Sequence, residues 1–222
     1  MNGGFSKILY RIAVPSECER IREALLAFYF PEEILTRSYL EVNQTGLGPP
    51  EEYIQYVLSF VHQGMVALAI EEDNGTIVGI TIARCVKPGT ADELLALVPS
   101  AETRRWAEML RLFAHLEHTG DVCGRFRSRR SYHVFVLAVE PHFRRRAIGQ
   151  KLMEFQLARG KSLRFRVVSA DFTCEIAARI GERMDMRCVS AIALNQYRNQ
   201  AGEHTFVAPG ANHIVSTYAR YV

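Results

Sequence analysis

The residues of this chain best suited to chemistry form a basic segment that follows an apolar one. Residues 134–139 are an apolar run of strand length, and Pro141 ends it. Beyond it come the arginines 144–146, two small residues and Lys151. A turn leading into a helix presents free backbone N–H groups, which bind phosphate together with the helix dipole and flanking cations. The segment predicts a site for a phosphate-bearing ligand, and the alternative is a solvated basic helix start.

The same segment resembles the acetyl-CoA signature of the GNAT superfamily, Gln/Arg-x-x-Gly-x-Gly/Ala. Arg144, Ala147 and Gly149 fall on its defined positions. Ala147 departs from the usual glycine, and an alanine costs about 1 kcal/mol where the backbone needs a positive φ. The resemblance implies that the turn holds the pyrophosphate of acetyl-CoA. The residues that we assign to this co-substrate are Leu137, Ala138, Val139, Arg144, Arg145, Arg146, Ala147, Ile148, Gly149, Gln150 and Lys151.

A second segment, near the N-terminus, offers a candidate general base. The aromatic residues 28–30 precede Glu32 and Glu33, and this segment resembles the entry segment of the insect arylalkylamine and dopamine N-acetyltransferases. The resemblance places the family's catalytic glutamate at Glu33, with Ile34 where the family usually has proline. A carboxylate beside aromatic rings is partly desolvated, which raises its pKa and attracts an ammonium group. The alternatives are that Glu33 lies in an exposed helix turn or that Glu32 faces the pocket instead.

Acetyl transfer to an amine needs groups beyond the base. An alkylamine is protonated at neutral pH, so a base must remove its proton before it attacks a thioester. The resemblance implies that a backbone N–H of Ala138 or Val139 stabilises the oxyanion. It also places Thr173 beside the departing thiolate, next to Cys174, with Ala177 at a position where the family has serine. Either Thr173 or Cys174 could instead be a helix N-cap, which is the more common role of a threonine at a helix start.

The aromatic residues of the N-terminal half suggest an arylamine pocket. Tyr39, Tyr53 and Tyr56 join the cluster at 28–30. At helical spacing such residues are more often part of the core, and both interpretations stay open.

Other chemistries have weaker support. The seven histidines include His115 and His118, three residues apart, but no metalloprotease pairing and no CxxC motif accompanies them, so no metal is expected. Cys174 with His133 or His142 as its base would form an acyl-enzyme. Nothing in the neighbouring sequence supports that pairing.

Composition narrows the class of protein. The 222 residues are 48% hydrophobic and 23% charged, as in ordinary globular proteins. No apolar run approaches the roughly 18 residues of a membrane span, so no membrane partner is expected. The five cysteines are odd in number and scattered, which favours reduced thiols and a cytoplasmic location. The net charge of +3 is too small to imply nucleic acid, although the arginines at 125–130 and 144–146 flank one predicted strand.

The elements that position these residues follow from hydrophobic periodicity. Strands are predicted at 8–14, 65–70, 76–86, 134–139, 163–170, 188–195 and 213–221. Helices are predicted at 17–30, 32–40, 103–118, 146–160 and 173–184. Residues 49–52 are predicted to open another helix, and 88–99 is a loop with a possible short helix. The βαβα order over 134–184 and the antiparallel N-terminal strands imply one mixed sheet with helices on both faces. The resemblance covers nearly the whole chain and implies a GNAT-like α/β (α+β) fold, a mostly antiparallel twisted sheet in a single domain, 1–222.

These expectations converge on an N-acetyltransferase that uses acetyl-CoA and a small primary amine as partners, with direct attack in a ternary complex. A peptide acetyltransferase is disfavoured because the loops at 46–50 and 88–99 look like lids over a small cavity. A nucleic-acid-binding module built on the arginine clusters lacks any recognised motif. A fold that binds CoA without catalysis is suggested by the changes at Ala147, Ile34 and Ala177.

Overall fold

The computed structural model describes residues 7–43, 48–207 and 213–222. Within these ranges the strands are β1 Ile8–Ile12, β2 Val66–Glu71, β3 Ile77–Val86, β4 Ser131–Val139, β5 Val167–Phe172, β6 Arg187–Ala193 and β7 Ile214–Tyr221. The helices are α1 Cys18–Phe28, α2 Ile34–Asn43, α3 Glu51–Leu58, α4 Thr90–Leu97, α5 Arg104–Gly120, α6 Val122–Arg125, α7 Ile148–Ser162 and α8 Glu175–Arg183. In this part of the chain no helix combines the length and apolar character needed to cross a membrane.

The described strands form a single sheet in the order β1-β2-β3-β4-β5-β7-β6. Strands β4 and β5 pair in parallel, and the other neighbours pair antiparallel. The expected mixed, mostly antiparallel sheet is therefore confirmed. The parallel pair arises because α7 crosses over from β4 to β5, as a βαβ connection requires.

Helices cover both faces of the sheet. On one face the buried residues of α1, α2, α3 and α5 pack on those of β2, β3 and β4. On the other face Ile148, Leu152 and Met153 of α7 pack on alternate residues of the same strands, and Ala178 of α8 packs on β5 and β7. Because side chains alternate along a strand, each strand supplies both cores.

Strand β4 is longer than predicted and is interrupted by a bulge. It begins at Ser131, and its first residues were not predicted because Ser131 and His133 interrupt the apolar run. Against β3, Val134 pairs with Ala83 and Val136 with Ile82, so Phe135 is an extra residue. On the other side, the pairing with β5 ends at Val134. The bulge shifts the alternation of side chains at the point where the two parallel strands separate.

Several predicted boundaries need correction. Strand β5 begins at Val167 rather than 163, because α7 continues to Ser162 and Arg164 turns the chain with φ 59°. Helix α2 begins at Ile34 rather than 32. The possible short helix within 88–99 is confirmed as α4. The loop at 46–50, which was also predicted to be a lid, lies partly outside the described residues.

Candidate active site

The turn after β4 has the backbone shape expected for an anion-binding loop. Arg145 and Ala147 both have left-handed backbone conformations, with φ values of 63° and 57°. Ala147 is the N-cap of α7. An alanine at this φ costs about 1 kcal/mol relative to glycine, so the departure from the signature is a real backbone strain.

The first turn of α7 leaves donors free for a ligand. The earliest amide bond of this helix runs from Lys151 N to Ala147 O, at 3.0 Å. The amides of residues 148–150 precede it and have no acceptor within the helix. A β-carbon at Gly149 would lie 3.3 Å from Ile180 Cδ1 and 3.6 Å from Val139 Cγ2. The glycine therefore keeps the space between α7, β4 and α8 open next to these donors.

The charged side chains of the turn point in several directions. Arg144 donates from Nε to Val139 O at 3.1 Å, and its Nη2 lies 2.5 Å from Glu32 Oε2. The Arg146 guanidinium lies over the Phe143 ring at 4.7 Å. These contacts hold cations around the helix start and place the segment that carries Glu32 beside the turn.

The remaining residues assigned to acetyl-CoA divide between core and surface. Ile148 is buried, so only its backbone is accessible to a ligand. Gln150 donates to Glu154, and the Lys151 ammonium lies 5.9 Å from the Tyr10 ring centroid. Along β4, Leu137 and Val139 are half-buried and Ala138 is buried. Because β4 does not pair with β5 beyond Val134, the backbone of residues 135–139 is open on that side.

Glu33 is buried and hydrogen-bonded. It is 6% exposed, and its carboxylate accepts the amides of Leu35 at 2.9 Å and Thr36 at 2.7 Å. Glu33 therefore caps the N-terminus of α2, a position in which the helix dipole favours an anion. Burial raises its pKa, while the Leu35 and Thr36 amides and the nearby Arg105 cation oppose the rise. The expected desolvation of Glu33 is present, and the exposed-turn alternative is wrong.

The surroundings of Glu33 are aromatic and hydroxyl-bearing. Tyr29 and Tyr53 hydroxyls lie 3.0 Å apart. Burial, together with the charge of Glu33, raises the pKa of both phenols well above the usual value. Both tyrosines therefore stay neutral and can act as hydrogen-bond donors beside the carboxylate.

Arg105 also lies in this region, although its sequence context did not single it out. Its Nη1 donates to Gly48 O at 2.8 Å, and its guanidinium lies over the Tyr39 ring. The residue is buried. Its cation favours the ionised form of Glu33.

The aromatic cluster belongs mainly to the core. Phe30, Tyr39, Tyr53 and Trp106 are buried, and Tyr53 stacks on Trp106 with the centroids 5.5 Å apart. The half-buried members are Tyr29, Tyr56, Phe113 and Phe135. Only these partly exposed rings have surface left for a substrate to contact.

Thr173 lies between β5 and α8, where it is half-buried. The N-cap of α8 is Cys174, and within the described part of the chain its side chain makes no capping bond. The N-cap interpretation is therefore wrong for Thr173, and the N-cap position belongs to Cys174. Its hydroxyl is left available for another role.

The second arginine cluster is remote from the turn. Residues 125–130 precede β4, and residues 144–146 follow it, so the two clusters lie at opposite ends of this strand. Residues of the described ranges form no cluster of histidine, cysteine or carboxylate side chains able to hold a metal ion. His133, considered above as a base for Cys174, is buried and contacts Asp171 at 3.1 Å.

Known structures share this fold over nearly its full length. A mosquito arylalkylamine N-acetyltransferase-like protein, 5b, is 35% identical, with a TM-score of 0.93 and coverage of 97% of this chain and 100% of that one. The chain belongs to the insect arylalkylamine N-acetyltransferases of the GNAT superfamily. Family membership makes it an acyltransferase. No family model and no curated protein sequence matches it.

Two further solved structures share the fold of this chain. A Drosophila melanogaster polyamine N-acetyltransferase, which forms N-acetylagmatine, is 28% identical, with a TM-score of 0.88 and coverage of 97% of this chain and 100% of that one. Arylalkylamine N-acetyltransferase 2 from Aedes aegypti is 17% identical, with a TM-score of 0.85 and coverage of 97% and 99%, and shows the shared fold alone.

One buried polar cluster of this acyltransferase was missed from the sequence. Arg84, Glu117, His133 and Asp171 come from β3, α5, β4 and β5 and meet inside the fold. The sequence does contain a signal for this cluster, because each of the mainly apolar strands β3, β4 and β5 carries a charged or ionisable residue. Such residues are rarely buried without partners, so they indicate a buried network.

Proposed function

We propose that this chain transfers an acetyl group from acetyl-CoA to the primary amine of a small arylalkylamine or other biogenic amine, by direct attack in a ternary complex. The observation that carries the proposal is the ion pair between Arg144 and Glu32. It brings the segment containing Glu33 beside the turn whose free amides suit a pyrophosphate. A base and a phosphate site thus adjoin one opening in the sheet.

The turn and the open edge of β4 would hold the two ends of acetyl-CoA. The amides of 148–150 and the cations Arg144, Arg145, Arg146 and Lys151 suit the pyrophosphate. The backbone of Leu137, Ala138 and Val139 lacks a β5 partner and suits the amide groups of the pantetheine arm. When bound, acetyl-CoA supplies the activated acetyl group. A backbone N–H of Ala138 or Val139 then donates to the acetyl oxygen as negative charge develops there.

Glu33 is the proposed general base. Its raised pKa moves the carboxylate toward the range in which it can take a proton from an ammonium group near neutral pH. The bonds from Leu35 and Thr36 fix the carboxylate, and each oxygen keeps a lone pair for the substrate. Thr173 is the proposed donor to the departing sulfur. The mechanism needs no metal, membrane or nucleic acid.

The cellular setting is part of the same proposal. All five cysteines are free in the fold, in agreement with a reducing cytoplasm. We propose that residues 1–222 act as a single catalytic domain there.

A thiol-release assay with acetyl-CoA tests the function directly. The panel contains tryptamine, dopamine and other arylalkylamines, together with agmatine and putrescine, and a peptide with a free N-terminus. Release of CoA with an arylalkylamine or another biogenic amine supports the proposal. Turnover confined to the peptide, or CoA binding without turnover on any amine, contradicts it.

A further inference from the structure

Strands β4 and β5 separate where acetyl-CoA is proposed to enter. Their ladder comprises three pairs and ends at Val134 with Ala170. Beyond this point β4 stays paired to β3 as far as Val139, and β5 stays paired to β7 as far as Phe172. The two strands are therefore paired with each other only up to Val134 and Ala170, and a gap lies beyond that point. The width of this gap depends on the contacts that join the strands where the pairing ends.

Side chains join the strands at that closed end. His133 Nε2 lies 3.1 Å from Asp171 Oδ2, and His133 Nδ1 lies 3.0 Å from Ser169 Oγ. The other oxygen of Asp171 accepts a bond of 2.6 Å from Thr217 Oγ1 on β7. Ser169 Oγ is also 2.8 Å from Ser131 Oγ on β4. Polar bonds therefore tie β4, β5 and β7 together just before the gap opens.

The charges of this cluster alternate in sign. Glu117 Oε1 lies 2.5 Å from Arg84 Nη2 and 3.8 Å from His133 Nε2. Burial opposes protonation of His133, but Asp171 and Glu117 outweigh it and raise its pKa. Arg84 and His133 thus face two carboxylates, and each of the two has a carboxylate partner. Pairing of this kind is needed to offset the free-energy cost of removing buried charged groups from water.

The network also fixes the first residue of the open edge. Phe135, the bulged residue, comes two positions after His133. Its ring lies 5.3 Å from the Arg84 guanidinium and 6.1 Å from the Tyr56 ring. Arg84 in turn donates to Tyr56 Oη at 2.7 Å. The end of the ladder and the bulge are therefore held by one connected set of buried groups.

We propose that His133 and Asp171 are positioning residues for acetyl transfer, which set the separation of β4 and β5 and so the place of the thioester. This inference rests on the proposed function. A displacement of about 1 Å of a reacting group can cost about 100-fold in rate. The pyrophosphate turn lies at the far end of β4, so loosening the pair should affect turnover more than CoA affinity.

The test uses a double variant, His133→Val with Asp171→Val, because a single change leaves one buried charge unpaired and can prevent folding. Removing both partners avoids that charge, and β-branched residues suit strand positions. A matched control is Thr217→Val, which removes a bond to Asp171 but leaves β4 and β5 joined. The kcat at saturating substrates, the Kd for CoA by calorimetry and the melting temperature are measured for each.

The expected result is a folded double variant with a Kd for CoA within about 3-fold of wild type and a kcat lowered about 10- to 100-fold, while the control loses much less. Wild-type kcat in the folded double variant overturns the inference. Loss of CoA binding in parallel with kcat, or failure to fold, also overturns it, because either assigns the pair a structural role only. Absence of amine acetylation by the wild-type chain instead overturns the proposed function itself.

Discussion

Arg144 and Glu32 are joined by an ion pair, with Arg144 Nη2 2.5 Å from Glu32 Oε2, although 112 residues separate them. Both side chains are a little under half exposed. The pair links the proposed phosphate turn to the segment that carries Glu33. The Glu32 carboxylate thus contacts the guanidinium that we propose for the pyrophosphate.

Glu32→Gln is expected to tighten CoA binding. Removing the carboxylate frees Arg144, and an exposed ion pair is worth roughly 0.2–1 kcal/mol, which corresponds to about 1.5- to 5-fold in Kd. Calorimetry at low salt measures the effect. Glu72→Gln is the control, because it breaks another ion pair of the surface, that with Lys7. Weaker CoA binding by the Glu32 variant would show that the carboxylate holds Arg144 in its binding orientation.

Ala147→Gly is expected to stabilise the fold. At φ 57° an alanine is strained and a glycine is not, so the gain is about 0.5–1 kcal/mol, or about 1–4 °C in Tm. Ala158→Gly in the same helix is the matched control, since this exposed residue lies within α7 and the change should cost about 1 kcal/mol. Thermal unfolding by circular dichroism distinguishes them. Equal destabilisation by both changes would refute the strain at Ala147.

The stability of the fold is expected to fall as pH rises through the pKa of His133. That pKa is raised above 6.5 in the folded protein by Asp171 and Glu117. The protonated ring therefore contributes fully below about pH 6.5, and its contribution is lost as pH rises through the folded-state pKa, with a slope of at most about 1.4 kcal/mol per pH unit.

Urea unfolding between about pH 6 and 9 measures this dependence. The groups facing the ring are Asp171, Glu117 and Ser169, with Arg84 beyond Glu117. His133→Gln should flatten the dependence, whereas His142→Gln should not, because the His142 side chain is 92% exposed. A profile that His133→Gln leaves unchanged would mean that His133 is neutral in the fold.

The elements and the turn after β4 were readable from the sequence because their signals are local. The apolar run that became the second half of β4, the proline after it and the small residues at the start of α7 are neighbours in the chain. The burial of Glu33 also followed from adjacent aromatic residues. Its capping bonds to Leu35 and Thr36 were missed because the predicted helix start was two residues early.

The contacts between distant segments could not be read in the same way. Arg84, Glu117, His133 and Asp171 meet only because β3, β4 and β5 are adjacent and α5 crosses their face. The two hydrogen-bonded pairs, Arg84 with Glu117 and His133 with Asp171, are 33 and 38 residues apart in the chain. Hydrophobic periodicity predicts that each strand is buried but not which strand lies beside it, so it cannot pair their charges.

The proposed reaction depends most on Glu33 as the base that removes the amine proton, and the activity of Glu33→Gln tests this role most directly. Glutamine keeps the side-chain length and an oxygen for capping α2, and Glu33→Asp, with a shorter carboxylate at a favoured capping residue, is the control for helix stability. With an amine that the wild-type chain acetylates, kcat/KM of the folded Glu33→Gln variant should fall at least about 100-fold. Wild-type kcat/KM in that variant would contradict the account.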